Sequence, residues 1–470
     1  MKRNTEFDIA VLGGGSGGYA AARTAAAAGK KVVVIDGAAE LGGLCILRGC
    51  MPSKALIESA NRNLVVREAA KFGIEVTSSK VNTETVIERK RRLIKEFSDY
   101  RSEQMQDGRF ELIRGHATFK DPHTLEVQLK DGGSTMVTAK TFIIATGSSV
   151  FVPDIPGLHE HGYLTSDDVL DMVDAPDSLV VLGGGAIALE MAHYFEAIDK
   201  QVTVIQRSGH LLTGMDVDLA DELETALTSR TMKIECDTRL LRVEKTPDGK
   251  KRVVYEKGGV ETFVDADAIL AATGRKPNTI NLGADAANIE LNSQGGVVVG
   301  LDMQSSVSHI FSCGDVCSPY EIVHIAIEQG ELAAENAIKF IEKECDFGKI
   351  DYRLKLYGIF TDPQVAAVGM TEIEASAAGR EVIVETHPFN DHGKSMIHGS
   401  KHGFVKLIGD AKTKEILGGS VVGPEAAELI HEIVVAMAFH STAGQLAKIP
   451  HYHPTLSEIW TYPAEEIADA

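Results

Sequence analysis

A repeated strand, glycine turn, helix and strand pattern constrains this chain more than any other feature. FDIAVLGGGSGGYAAARTAAAAGKKVVVIDG carries the first copy and SLVVLGGGAIALEMAHYFEAIDKQVTVIQR the second. Each reads as an apolar strand, a tight turn, an alanine-rich helix and a second β-branched strand. Parallel strands need a crossover, and a covering helix supplies it. The pattern predicts an α/β fold with two Rossmann-like nucleotide-binding domains. TFIIATG, ending at Thr146-Gly147, and AILAATG, ending at Gly274, are apolar strands that close the two domains.

Texture changes after about Asp351. VAAVGMTE, GFVKLIGD and ILGGSVVGP read as strands with tight turns, and GPEAAELIHEIVVAMAFHST has helical spacing. A third, C-terminal α+β domain without a glycine fingerprint is expected. A charged helix is expected near Thr85–Gln106, and a charged hairpin over Thr238–Asp265, with turn signals at Pro247-Asp248-Gly249 and Gly258-Gly259.

A chain of 470 residues suggests about three domains. The net charge of −20 disfavours nucleic acid and anionic membranes as partners. No apolar run reaches the roughly 18 residues of a membrane span. The amino terminus, MKRNTEFDIAVLGGG, runs into the glycine loop without the apolar core and cleavage site of a signal peptide. Six cysteines are sparse for a secreted disulfide scaffold, so a cytoplasmic location is expected, with no metal centre.

Gly13-x-Gly15-x-x-Gly18 follows a strand and opens a helix. The first glycine permits the turn, the second lets a pyrophosphate approach, and the third permits helix–strand packing. Asp36 ends the next strand, where a carboxylate can accept both ribose hydroxyls of an adenosine. The second fingerprint is Gly183-x-Gly185-x-x-Ala188. Its following strand ends in Gln206-Arg207, with no acid. An acid there favours NAD; its absence beside an arginine fits the 2′-phosphate of NADP.

GGLCILRGCMPSK holds Cys45 and Cys50, separated by four residues across a turn that contains Gly49. Helical periodicity begins after Pro52, which places Cys50 at a helix start, where the dipole and unpaired amides favour a thiolate. Spacing alone leaves open a redox pair, two core cysteines or half of a metal site. No second close Cys/His set completes a metal site. Cys313 and Cys317 bracket Gly314-Asp315 and read as small residues at a strand end.

GGGSGG, GGLCILRGCMPSK, ATGS, GGGAIALE, ATGRKPNT, SCGDV, FTDPQVAAVGMTE and HYHPTLSE occur in one order along the whole chain. In this the chain resembles the class I pyridine nucleotide-disulfide oxidoreductases, and most closely their dihydrolipoamide dehydrogenase branch. The resemblance implies an FAD domain over 1–150 and 280–350, a NAD(P) domain over 151–279 and a dimerisation domain over 351–470. FAD and NAD or NADP are the implied cofactors. Cys45 would be the thiol that meets substrate and Cys50 the one that faces the flavin. Lys54 would pair with Glu190 near the flavin. Ser16, Gly17, Gly43, Thr146 and Gly147 would belong to the cofactor loops, and Asp315 would bind the ribityl–pyrophosphate part of FAD. Val323 and His324 would lie near the flavin ring, Ala117 near the adenine, and Gly274 and Arg275 at the nicotinamide nucleotide.

His453 would be the acid–base residue, oriented by Glu458 and supplied across a homodimer to the other subunit, with His451 in support. A dithiol attacks as thiolate, so a base with a pKa near about 7 must take its proton. The expected reaction is oxidation of dihydrolipoamide by NAD+ through the Cys45–Cys50 disulfide. The alternatives are an NADPH-dependent reductase of another disulfide, like glutathione or mercuric reductase, and a flavoprotein redox sensor. Asp36 and Gln206 stand where the family's dihydrolipoamide branch carries glutamate. Ile46-Leu47-Arg48 replaces its usual Leu-Asn-Val, so Arg48 is either a solvated side chain or a selector of acidic substrates. TYPAEEIADA lacks the cysteine pair of mercuric reductases.

Overall fold

The computed structural model describes residues 6–470. Residues 1–5, with the two basic residues of the amino terminus, lie outside the described residues. The chain forms two compact units. One contains the residues up to Ala55, Glu88–Phe151 and Gly274–Asp351; the other contains Leu56–Ile87, Val152–Thr273 and Tyr352–Ala470.

In the first unit, β1 (Glu6–Leu12), α1 (Ser16–Ala27) and β2 (Val32–Asp36) are the first copy of the repeat. β1 and β2 pair in parallel, with Ile9 opposite Val32. Their central residues are buried on both faces, which is why they read as continuous apolar runs. The short helix α2 (Gly43–Leu47) leads to α3 (Cys50–Glu68), and the charged stretch forms α4 (Thr83–Met105), close to its expected bounds. β3 (Glu111–Asp121) extends the sheet beyond β2 in parallel, and β4 (Thr124–Leu129) turns back to β5 (Ser134–Ile144). β5 lies parallel to β1 on one side and to Ile310–Ser312 on the other. The short β6 (Ser148–Val150) pairs with Arg275–Pro277.

Phe119 and Phe142 fill this core edge to face, 5.2 Å apart at 67°. The helix Val323–Glu342 crosses α1 where Gly330 meets Gly17. A Cβ on Gly330 would collide with the Gly17 carbonyl, so the close crossing depends on the missing side chain.

The second unit holds a parallel sheet ordered Ala268–Ala271, Ser178–Leu182, Gln201–Ile205 and Lys233–Glu235. The expected charged hairpin is a three-stranded meander, Thr238–Lys245, Lys251–Lys257 and Val260–Ala266; each turn signal makes its own reversal. Arg252 braces it with two bonds of 2.8 Å to Asp265.

The C-terminal part is a five-stranded antiparallel sheet ordered Leu356–Ile359, Gln364–Gly369, Ile416–Gly423, Phe404–Asp410 and Val382–Pro388. The helices Ala426–Ala438 and Thr461–Asp469 share its core with the fully buried Trp460, whose indole N–H donates to the Leu429 carbonyl at 3.1 Å. Lys406 on this sheet is fully buried, and its Nζ lies 2.6 Å from Asp218, 2.5 Å from Glu372 and 3.4 Å from Asp216. The ammonium satisfies these carboxylates, which otherwise resemble a metal-binding cluster.

Among the described residues, no helix is long and apolar enough to cross a membrane.

Candidate active site

The three glycines of the first fingerprint have three physical roles. Gly13 has φ +106°, and a Cβ there would collide with the Ala145 carbonyl. Gly18 lies so close to Gly13 that a Cβ would strike the Gly13 oxygen. Gly15 differs, since the nearest atom to a Cβ would be Gly43 Cα at 3.9 Å. Gly15 is the N-cap of α1 and offers no side chain to the first-turn amides at Ser16 and Gly17. An anion at this helix start meets N–H groups and no carbon, as a pyrophosphate requires.

Asp36, at the end of β2, is buried. Its Oδ2 accepts the Gly14 amide at 2.8 Å and its Oδ1 accepts Ala38 N–H at 2.9 Å. A carboxylate has about four acceptor sites, so about two remain for a ribose. The same acid therefore fixes the glycine turn and keeps capacity for the sugar. Ala117, on β3, is half-buried.

Cys45 lies in α2 and Cys50 is the first residue of α3, at the helix start where a thiolate is favoured. The two thiols are hydrogen-bonded. That bond, and then burial, raise Cys45 well above the ordinary thiol range, while the nearby Lys54 charge opposes the rise. Gly49 keeps the turn tight: a Cβ there would lie 3.0 Å from the Leu44 carbonyl. Lys54 lies one turn after Cys50 on α3 and is half-buried.

A chain of polar contacts joins β6 to the Gly-Asp motif. Ser148 Oγ donates to Asp315 Oδ2 at 2.7 Å. Arg275 Nε donates to Ser148 Oγ at 2.7 Å and its Nη2 to the Ser148 carbonyl at 2.8 Å. Arg275 is thus held beside Asp315 in the first unit. Ser148 is a bridging residue that sequence reasoning missed; its partners are 127 and 167 residues away, and a lone serine carries no signal. Thr146 Oγ1 donates to the Asn278 carbonyl at 2.9 Å, the Asn278 amide donates to the Gly147 carbonyl, and Phe151 N–H donates to the Gly274 carbonyl. Val323 and His324 open the helix Val323–Glu342, whose N-cap, Ile322, makes no side-chain bond. Cys313 is buried and Cys317 partly so, and burial pushes Cys317 up to about 12, which suits packing rather than redox exchange.

The second fingerprint repeats the first. A Cβ on Gly183 would collide with the Ala272 carbonyl, Gly185 has open space, and Ala188 is buried at the packing position. On the same helix, Ala186–Ala197, Glu190 is buried and its Oε1 accepts the Phe360 amide at 3.1 Å. Gln206 is buried beside Gly184, while Arg207 is exposed and makes no side-chain hydrogen bond or ion pair among the described residues.

His453 is 81% exposed, and its Nδ1 lies 3.0 Å from Glu458 Oε2. Glu458 is largely buried, so it holds the ring from behind and leaves Nε2 towards solvent. His451 does not support this pair. Its Nε2 lies 2.6 Å from Glu432, and its Nδ1 faces the Ile449 carbonyl at 2.9 Å. Behind Glu458 stands a different residue, the fully buried His392, 3.3 Å from Oε1. Sequence reasoning did not single it out, since a histidine between Asp391 and Gly393 looks like any polar turn.

Residues 7–330 match the sequence model described as pyridine nucleotide-disulphide oxidoreductase, and residues 357–464 match that of its dimerisation domain. The chain is 33% identical to a dihydrolipoamide dehydrogenase of Chaetomium thermophilum, over 96% of this chain and 89% of that protein. It is 33% identical to the mercuric reductase of Bacillus cereus over 89% of this chain, and spans 65% of that longer protein. A solved structure, the Cu(II) complex of the HOCl-induced flavoprotein disulfide reductase RclA from Escherichia coli, is similar with a TM-score of 0.84 at 25% identity. That likeness covers 98% of this chain and 99% of the other.

Proposed function

The chain belongs to the pyridine nucleotide-disulphide oxidoreductases, FAD- and NAD(P)-dependent enzymes, and within that family we propose that it oxidises a small dithiol, a dihydrolipoyl group, through Cys45 and Cys50. The observation that carries this reading is the His453–Glu458 pair at 3.0 Å. A dithiol has protons to give up as its sulfurs attack, and a held imidazole takes the first of them. A metal-ion substrate has none. The match along nearly the full length of dihydrolipoamide dehydrogenases supports the same choice.

In this reading, one substrate sulfur attacks Cys45 Sγ of the oxidised pair as its proton passes to His453. The Cys45–Cys50 bond breaks, and Cys50 leaves as a thiolate at the start of α3. The second substrate sulfur then attacks the first, forming the substrate disulfide, and its proton goes to the departing Cys45, which is released as the thiol. Two electrons have moved from substrate to the cysteine pair. Bound FAD supplies the two-electron relay to NAD(P)+. Gly13, Gly15, Ser16, Gly17, Gly18, Asp36 and Gly43 would hold its adenosine and pyrophosphate, with Ala117 near the adenine. Thr146, Gly147 and Asp315 would hold its remainder, with Lys54, Glu190, Val323 and His324 near the ring. Gly183, Gly185, Ala188, Gln206 and Arg207 would hold the nicotinamide nucleotide, with Gly274 and Arg275 at its edge. His453, exposed on the part of the chain that matches a dimerisation domain, would serve the cysteine pair of a partner subunit.

A second reading, an NADPH-dependent disulfide reductase, is favoured by Gln206 and Arg207. One assay separates the two. The purified flavoprotein is supplied with dihydrolipoamide and NAD+ or NADP+, and with NADPH and lipoamide, glutathione disulfide or Hg(II). Fast dihydrolipoamide oxidation supports the proposal. Turnover confined to NADPH with glutathione disulfide or Hg(II) overturns it.

A further inference from the structure

Glu458 has two oxygens, and only Oε2 serves His453. Oε1 points the other way, to His392, which lies between the turn Phe389–Asp391 and the helix Gly393–His398 and is completely buried. The two nitrogens of His392 can be told apart. Nδ1 lies 2.7 Å from Ser395 Oγ, itself fully buried. Ser395 Oγ makes no other hydrogen bond among the described residues, so its proton has Nδ1 as its acceptor. In a neutral ring the remaining proton then sits on Nε2. Nε2 is buried, makes no hydrogen bond of good geometry among the described residues, and lies 3.3 Å from Glu458 Oε1, the carboxylate it pairs with. A buried imidazole N–H without an acceptor is destabilising.

We propose that His392 is a positioning residue of the acid–base group: its Nε2–H donates to Glu458 and fixes the carboxylate that orients His453. The inference rests on the reading of His453 as the base that takes the substrate proton. His453, Glu458 and His392 then form one line, with one carboxylate shared by two imidazoles. Drawing part of the Glu458 charge towards His392 leaves less of it for the His453 imidazolium, so His453 gives up its proton more readily. The other groups facing His392 are His387, Tyr462 and Ser395. Tyr462 presents its ring at 6.2 Å and 80°, and stacks on His387 at 4.0 Å. Burial lowers His392 itself, which favours the neutral donor form.

The test is the pH profile of kcat/KM for dihydrolipoamide, with the holoenzyme and its preferred NAD(P)+. A base must be unprotonated to act, so activity falls on the acidic side as His453 gains its proton. His392→Phe keeps a ring and removes the donor; the acidic limb should move up by about half to one pH unit. His392→Gln, whose amide can reach the same oxygen, should bring the limb back to the wild-type position. If His392→Phe does not fold, His392→Ala removes the same donor. An unmoved limb in the donor-free variant, or an equal shift in His392→Gln, overturns the inference. His453→Gln distinguishes the two levels: if it turns over like wild type, the reading of His453 fails; if it is crippled while His392 variants keep the wild-type profile, only the role of His392 fails.

Discussion

Cys50 opens a helix, Cys45 lies in the short helix just before it, and the hydrogen bond between their thiols raises the Cys45 thiol. The asymmetry predicts different outcomes for two isosteric substitutions. Cys50→Ser should lose the long-wavelength thiolate–flavin absorbance on two-electron reduction, and Cys45→Ser should keep it. Both should lose dithiol turnover. Absorbance spectra during anaerobic titration decide the matter, and the reverse pattern would refute the assignment.

The fingerprint glycines separate binding from folding. Nothing in the protein lies within 3.9 Å of a Cβ on Gly15, so Gly15→Val should fold with its secondary structure intact. Its side chain would fill the pyrophosphate space, and FAD affinity should fall by at least about a hundredfold, roughly 2.7 kcal/mol. Gly18→Ala drives a methyl into the Gly13 carbonyl and should cost about 1–3 kcal/mol in stability. Circular dichroism, flavin-to-protein ratio and denaturant midpoint separate the two effects. A Gly15→Val protein that purifies with full FAD would refute the first.

Features written in consecutive residues were legible in the sequence. The turn around Gly13, the helix start at Cys50 and the charged α4 each depend on local spacing, which a reader of the chain can see. The Ser148 bridge and His392 were not legible. Ser148 meets Arg275 and Asp315 only because β6 pairs with a strand from much later in the chain. His392 meets Glu458 because one sheet brings two C-terminal turns together. The misreading of His451 has the same cause: closeness to His453 in sequence suggested support, whereas the backbone sends its ring to Glu432.

The nucleotide preference turns on Gln206. A glutamate in its place could accept the ribose 2′-hydroxyl and would repel a 2′-phosphate. Gln206→Glu should move the kcat/KM ratio towards NADH by about tenfold, roughly 1.4 kcal/mol. Arg207→Ala should weaken NADPH and spare NADH, because the guanidinium is exposed and committed to nothing else among the described residues. Steady-state kinetics with both nucleotides checks this. Equal losses for the two would show that Arg207 does not read the 2′-phosphate.

His193 predicts how stability depends on pH. It is fully buried on the helix Ala186–Ala197. Arg230 donates to its Nδ1 at 3.3 Å, so Nδ1 is the acceptor and Nε2 carries the proton, facing Asn61 Oδ1 at 2.7 Å. Burial, then the Arg230 and Arg67 charges, push it down to about 3. The unfolded chain gains this proton below about pH 6.5 while the folded chain refuses it until about pH 3. In that window the unfolded state binds more protons, so stability falls as pH falls. Between pH 7 and pH 5 the loss from this one group should be about 2 kcal/mol, at about 1.4 kcal/mol per pH unit below 6.5. Glutamine can donate to Asn61 and accept from Arg230 without titrating. His193→Gln should therefore cost about 1 kcal/mol at pH 7 for its imperfect fit and recover about 2 kcal/mol of the pH 5 loss. Denaturant midpoints of the FAD-loaded protein at the two pH values measure the difference. Parallel losses in wild type and variant would show that His193 takes no part in acid sensitivity.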